Sequence, residues 1–227
     1  MRIATVQHLL RAHERMDLAA LLALCQEASE EGAALIVCPH VPGLAHSEQM
    51  SRAFNENVRA YAPGSAVITP FASASKSDPL AVTHSAAGRA LVLGGDECLD
   101  PELYPTIEIL APSLLVWQVE TESTLQAEAL LELALDASQS QSGLIVTAAP
   151  VGSARGTESC GGSSIVHLGE IVAEAGSGEE IIYADVVVPV MLPEKRRMRA
   201  VPAPVLQQRL AVHRGKRSWM DHLSEGR

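Results

Sequence analysis

The feature that most constrains the fold is a strand–helix–strand pattern in the first 40 residues. Residues 2–7 alternate in polarity, which is typical of a strand, and residues 34–38 are continuously apolar, which indicates a strand covered on both faces. Between them, apolar residues recur at helical spacing after Asp17, a predicted N-cap, and Gly32 marks the end of this helix. The pattern predicts a layered α/β protein.

The same two patterns recur along the rest of the chain. Helices are predicted at residues 47–61, 101–111 and 122–138, and strands at residues 65–71, 80–84, 89–93, 113–119 and 143–149. Residues 163–175 and 179–188 are predicted to pair as antiparallel strands. No repeat or linker divides the chain, so we expect a single domain over residues 1–192, followed by a C-terminal segment at 193–227.

Charge is distributed unevenly along the chain of 227 residues, whose formal net charge is −10. Residues 193–227 contain nine of the 17 Lys and Arg residues and three acids, a net charge of +6, which leaves −16 on residues 1–192. We expect this basic segment to lie on an acidic surface of its own subunit or of a partner subunit. A nucleic-acid-binding arm is the alternative, although the acidic total excludes a general nucleic-acid-binding surface.

The cysteines give no sign of a disulfide framework. Cys25, Cys38, Cys98 and Cys160 show no paired spacing, and the first two lie in apolar runs, where cysteine is commonly a small buried side chain. No apolar run approaches 18 residues and no signal peptide precedes the first strand, so we expect neither a membrane span nor secretion. A cytoplasmic, reduced protein follows from these expectations.

Residues 90–104 form the stretch at which we expect a functional site. A buried strand at residues 90–93 is followed by residues 94–98 (Gly-Gly-Asp-Glu-Cys) and then by a helix from Pro101. A strand-to-helix turn with glycines at the bend is where an α/β protein exposes a reactive group. Because Gly95 has no side chain that could react, this turn is an active site, a rebuilt one, or the remains of one.

Eight short segments occur together in an informative order and spacing. They are residues 2–7 (RIATVQ), 32–39 (GAALIVCP), 101–104 (PELY), 111–116 (APSLLV), 143–149 (GLIVTAA), 161–166 (GGSSIV), 169–170 (GE) and 183–185 (YAD). Together they resemble the nitrilase superfamily, the carbon–nitrogen hydrolases, over nearly the full chain except residues 44–80. The resemblance implies a four-layer α-β-β-α sandwich that dimerises to eight layers through helices near the turn, with the C-terminal segment reaching over the partner.

The resemblance also implies a chemistry, amide or nitrile hydrolysis by a Cys nucleophile, a Glu base and a Lys that stabilises the tetrahedral intermediate. It places His40 at the base position, after the Pro that ends the second strand, and Gly95 at the nucleophile position, six residues before Pro101. The segment carrying the Lys is missing. Lys76 is the only lysine before Lys195, and its surroundings do not match the pattern of the superfamily.

Changes at all three positions predict a nitrilase-like protein that has lost its catalytic triad. We expect a non-catalytic binding or structural protein, a homodimer without a cofactor, with a possible small-molecule ligand in a vestigial pocket. The vestigial site comprises His40, Lys76, Gly95, Asp96, Glu97 and Cys98.

Two alternatives keep chemistry at this site. In the first, Cys98 is a relocated nucleophile and His40 is its base in an active amidase, since a histidine side chain can accept a proton near neutral pH. In the second, His40, Asp96 and Glu97 bind a divalent metal, with His84 or Cys98 as a further ligand, since imidazole and carboxylate suit zinc or manganese.

Overall fold

The computed structural model describes residues 1–41, 48–70, 81–85, 87–100, 102–154 and 156–188. Lys76 and the basic segment at 193–227 lie outside these ranges. The helices are α1 (Glu14–Glu30), α2 (Glu48–Tyr61), α3 (Tyr104–Leu110) and α4 (Thr124–Ala137), with a 3-10 turn at Gly95–Leu99 and a π turn at Ser138–Ser142. The strands are β1 (Arg2–Gln7), β2 (Leu35–Val37), β3 (Ala66–Ile68), β4 (Ala81–Ser85), β5 (Gly88–Gly94), β6 (Leu114–Gln118), β7 (Leu144–Ala148), β8 (Val151–Ala154), β9 (Thr157–Cys160), β10 (Ser164–His167), β11 (Glu170–Glu174) and β12 (Glu180–Asp185).

The strands form two main sheets. The first has the order β12-β1-β2-β3 and the second the order β11-β10-β7-β6-β5-β4, while β8 and β9 form a separate hairpin. Three adjacent strands of each sheet are parallel, β1-β2-β3 in the first and β5-β6-β7 in the second. Parallel neighbours need crossover helices that cover the sheet, which explains the continuously apolar runs in the sequence.

Three apolar clusters hold four layers together. The first lies between the two sheets and includes Ile3 and Val37 from one sheet and Val116 and Val146 from the other. A second joins the outer face of the first sheet to α1 and α2, and a third joins the outer face of the second sheet to α3 and α4. The predicted α-β-β-α sandwich is therefore confirmed. None of the helices in the described ranges has the length and apolar character to cross a bilayer.

The prediction that Asp17 caps the first helix is wrong. Helix α1 begins at Glu14 with His13 as its N-cap, and Asp17 lies inside the first turn, fully buried. Its Oδ1 accepts hydrogen bonds from His8 Nε2, at 2.7 Å, and from the backbone N–H of Arg11, at 3.0 Å. The carboxylate therefore stabilises the β1–α1 connection. The N-cap of α1, His13, makes no side-chain capping hydrogen bond.

The predicted pairing of residues 163–175 with residues 179–188 is also wrong. Strand β10 pairs with β11 through a tight turn that contains Leu168 and Gly169, both with positive φ. Strand β12 instead pairs antiparallel with β1 along its whole length, in the other sheet. β12 therefore covers the edge of β1 that does not pair with β2. The hydrophobic periodicity of the sequence does not reveal such a long-range contact.

Candidate functional site

The candidate site lies where the carboxyl ends of parallel strands from both sheets meet. Gln118, the last residue of β6, is fully buried, and its Nε2 donates to the backbone oxygens of Cys38, at 2.8 Å, and Thr69, at 2.7 Å. These two acceptors follow β2 and β3, so one amide group joins the strand ends of the two sheets. Ligands of α/β proteins commonly bind at such an edge.

His40 and Glu120 are brought together at this edge. His40 follows β2 and Glu120 follows β6, and Nδ1 of His40 lies 3.1 Å from Oε1 of Glu120. The two side chains are 21% and 35% exposed. When Nδ1 carries the proton it donates to Glu120, which leaves Nε2 of His40 as an acceptor. The pair is a histidine oriented by a carboxylate and reachable from solvent.

Sequence reasoning missed Glu120. It is 80 residues from His40 in the chain and belongs to a different sheet, and nothing local distinguishes it from the neighbouring Glu122. The available signal was positional, because Glu120 follows a buried strand as His40 does. Pairing across the two sheets could not be read from either segment alone.

The glycine turn has the geometry expected of an exposed tip. Gly95 begins the 3-10 turn directly after β5, is exposed, and has a φ of +52°. A Cβ built at Gly95 would meet no heavy atom within 4 Å, so a side chain has space there although its backbone would be strained. Oε2 of Glu97 accepts the backbone N–H of Gly94 at 3.2 Å, which stabilises the bend.

Cys98 lies behind this tip. Its side chain is 1% exposed and packs in the cluster between the second sheet and α3. Its Sγ donates to the backbone oxygen of Gly95 at 2.9 Å, and its own backbone oxygen accepts from the Tyr104 hydroxyl at 3.4 Å. Burial, with smaller contributions from Cys98 and Asp100, raises the pKa of Tyr104. The thiol is thus directed at the backbone of the turn.

The structure brings together only part of the set proposed from sequence. It joins Gly95 to Cys98 and pairs His40 with Glu120, while Glu97 contacts the backbone of the turn. Within the described ranges, no group of three or more His, Cys, Asp and Glu residues could hold a metal ion. The side chains of Asp96 and His84 and all of Lys76 lie outside what the structure describes, so the metal site stays a prediction.

Comparison with known proteins identifies the fold. No protein-family model matches the sequence, and no curated protein is similar to it. The chain is similar to the NitN amidase of Nesterenkonia sp. AN1, with 18% identity, 92% of this chain and 99% of that chain covered, and a TM-score of 0.66.

Two variants of the Nesterenkonia amidase are similar to the same degree. One, described as an amidase from the nitrilase superfamily, has 17% identity, a coverage of 92% of this chain and 96% of that chain, and a TM-score of 0.68. The other, which shows Michael addition of acrylamide at its active-site cysteine, has 18% identity, a coverage of 87% and 97%, and a TM-score of 0.68. The chain therefore has the carbon–nitrogen hydrolase fold of the nitrilase-superfamily amidases.

Proposed function

We propose that this chain is a nitrilase-fold protein without the hydrolase chemistry of that superfamily, acting as a non-catalytic binding or structural protein. The observation that carries the proposal is Gly95. It stands exposed at the tip of the strand-to-helix turn with open space around it, yet it offers no nucleophile. The Nesterenkonia amidase, in contrast, is described with an active-site cysteine.

The contacts of Cys98 and His40 support the same proposal. A relocated nucleophile must reach substrate, but Cys98 is 1% exposed and its thiol donates to Gly95. A base for that thiol must lie within hydrogen-bond reach of it, whereas Nδ1 of His40 is 3.1 Å from Oε1 of Glu120. The His40–Glu120 pair is better suited to hold a polar small molecule at the strand ends than to activate a buried thiol.

We expect purified protein to show no amide or nitrile hydrolysis and its Gly95→Cys variant to gain a fast-reacting thiol. Iodoacetamide labelling of native protein, followed by mass spectrometry, should find one additional labelled cysteine in Gly95→Cys, since residue 95 is exposed. Cys98 should stay unlabelled in both proteins because it is buried.

Gly95→Ala is the control for backbone strain at a positive φ, which costs about 1 kcal/mol whichever side chain is introduced. Wild-type turnover that disappears in Cys98→Ser would show that the nucleophile has been relocated. Turnover that disappears with a chelator and returns with zinc or manganese would establish the metal alternative.

We also propose a homodimer that forms through the α3 layer beside the glycine turn. Ile109 on α3 is 82% exposed, so a large aliphatic side chain is available there for burial against a partner. We expect Ile109→Glu to convert the dimer to a monomer in light scattering coupled to size-exclusion chromatography. Met16→Glu, at a 52% exposed position on α1 in the opposite layer, is the control that should stay dimeric. A monomeric wild type at high concentration would contradict the proposal.

We infer that residues 1–192 form one domain and that the basic segment at 193–227 lies on the α3 and α4 layer of that domain or of the partner's. The support for this inference is charge complementarity. Residues 90–154 contain ten Asp and Glu residues and no Lys or Arg. They include the whole of α3 and α4, so the segment and this layer have complementary charge. From the sequence, we also infer a cytoplasmic location.

A further inference from the structure

Two buried thiols meet between α1 and the end of β2. Cys25 lies on the face of α1 that packs on the first sheet, and Cys38 directly follows β2. Both residues are 0% exposed, both are free thiols, and their Sγ atoms are 3.6 Å apart. Sequence spacing did not suggest a pair, because one cysteine belongs to a helix and the other to a strand end.

We propose that Cys25 and Cys38 form a redox modification site, a dithiol that oxidises to a disulfide joining α1 to the end of β2. The S–S bond is about 2.05 Å long, so the two sulfur atoms must approach by roughly 1.5 Å. The side chains already point at each other, since the thiols are in hydrogen-bond contact.

The oxidation needs a small oxidant, of which a peroxide is the simplest class. One thiol attacks the peroxide, the O–O bond breaks, and the sulfur becomes a sulfenic acid with release of water. The second sulfur then displaces the hydroxyl group, the S–S bond forms, and a second water leaves. Two thiols are oxidised by two electrons, and one hydrogen peroxide is reduced to two waters.

The surroundings of Cys38 predict that this reaction is slow but selective. The hydrogen bond with Cys25, together with burial, raises the pKa of Cys38, so little thiolate is present at neutral pH. Because both cysteines are 0% exposed, peroxide reaches the sulfur atoms only when the structure around them opens locally. Once one sulfur has reacted, the other is the nearest thiol, which favours the disulfide over modification by a second oxidant molecule.

The disulfide would form at the edge that carries the candidate site. The backbone N–H of Cys38 donates to Ile68 at 3.0 Å, its oxygen accepts from Gln118, and His40 follows two residues later. A bond at Cys38 would fix the strand end that positions His40. The pair and its chemistry do not depend on the function proposed above, and the test below has its own readout.

The test counts thiols after unfolding. Protein treated with hydrogen peroxide, then denatured and alkylated, should lose two of its four titratable thiols, and peptide mapping should find Cys25 linked to Cys38. Oxidised protein should melt roughly 5 °C or more above reduced protein, because the bond closes a loop of 14 residues in the unfolded chain.

Variants separate this pair from the other cysteines. Cys25→Ser and Cys38→Ser should each abolish the linkage, whereas Cys98→Ser combined with Cys160→Ser should retain it. Circular dichroism establishes that each variant is folded before oxidation. Four remaining thiols after peroxide treatment, even in mild denaturant that promotes local opening, or a linkage through Cys98 or Cys160, would overturn the proposal.

Discussion

Replacing Gln7 with leucine is expected to lower the free energy of unfolding by about 4 kcal/mol, among the largest effects of a single substitution in this chain. Gln7 ends β1 and is fully buried, and both ends of its amide are used. Nε2 donates to the backbone oxygens of Gly176, at 2.6 Å, and Gly178, at 2.9 Å. Oε1 accepts the backbone N–H groups of Gly162, at 3.0 Å, and Ser163, at 3.1 Å.

Leucine has a similar size but leaves these four backbone groups without their partner. An unsatisfied buried group costs about 1–3 kcal/mol, and the two carbonyl groups in the exposed turn at 176–178 can recover part of the loss from water. The measurement is urea unfolding followed by circular dichroism. Gln26→Leu is the matched control, because Gln26 is exposed on α1 and its one hydrogen bond is to Glu30. Similar losses in both variants would contradict the role assigned to Gln7.

Sequence patterns predicted the elements of this fold because each element has a local signal. Residues 34–38 are apolar on both faces, and the structure places β2 there, between a helical layer and the other sheet. Residues 122–138 are rich in Leu, Ala and Glu, and α4 begins after Ser123, whose side chain accepts the N–H of Gln126. Periodicity and capping are set by neighbours in sequence, so a single chain suffices to find them.

Contacts between distant segments had no such signal. Residues 179–188 are predicted as a strand, but the partner of a strand depends on which sheet edge is open. In the structure β12 pairs with β1 and not with the adjacent β10–β11 hairpin. The same holds for the candidate site. The local strand-to-helix pattern predicts the tip at Gly95, and the resemblance to the nitrilase superfamily predicts His40. Glu120 is recognisable only in the packed structure, where the ends of the two sheets meet.

Asp17 shows that burial can change the structural role of an acidic residue near the start of a helix. An acid near the start of a helix is usually a cap or a favourable charge for the helix dipole. Here it is fully buried against His8, itself 0% exposed, in a network that also includes Arg11 and Glu179. Burial alone would raise the pKa of Glu179, but hydrogen bonds from Arg11 and from the Leu9 N–H, with nearby positive charge, outweigh it and lower that pKa.

Replacing Asp17 with alanine is therefore expected to lower the free energy of unfolding by about 3 kcal/mol. Removing one partner of a buried polar pair leaves the other without its hydrogen bond, and both His8 Nε2 and the Arg11 N–H lose their acceptor. Glu14→Ala is the matched control, because Glu14 is an acid in the same first turn and tests the helix dipole alone, about 0.5 kcal/mol.

Urea unfolding at neutral pH measures both variants, and hydrogen exchange at the β1–α1 connection localises the change. We expect amide protons near Arg11 to exchange faster in Asp17→Ala and to be unaffected in Glu14→Ala. Equal losses of stability in the two variants would mean that Asp17 acts only through the helix dipole. A larger loss confined to Asp17→Ala would establish the buried contact with His8 as the interaction that fixes the first helix to the end of β1, beside Gln7.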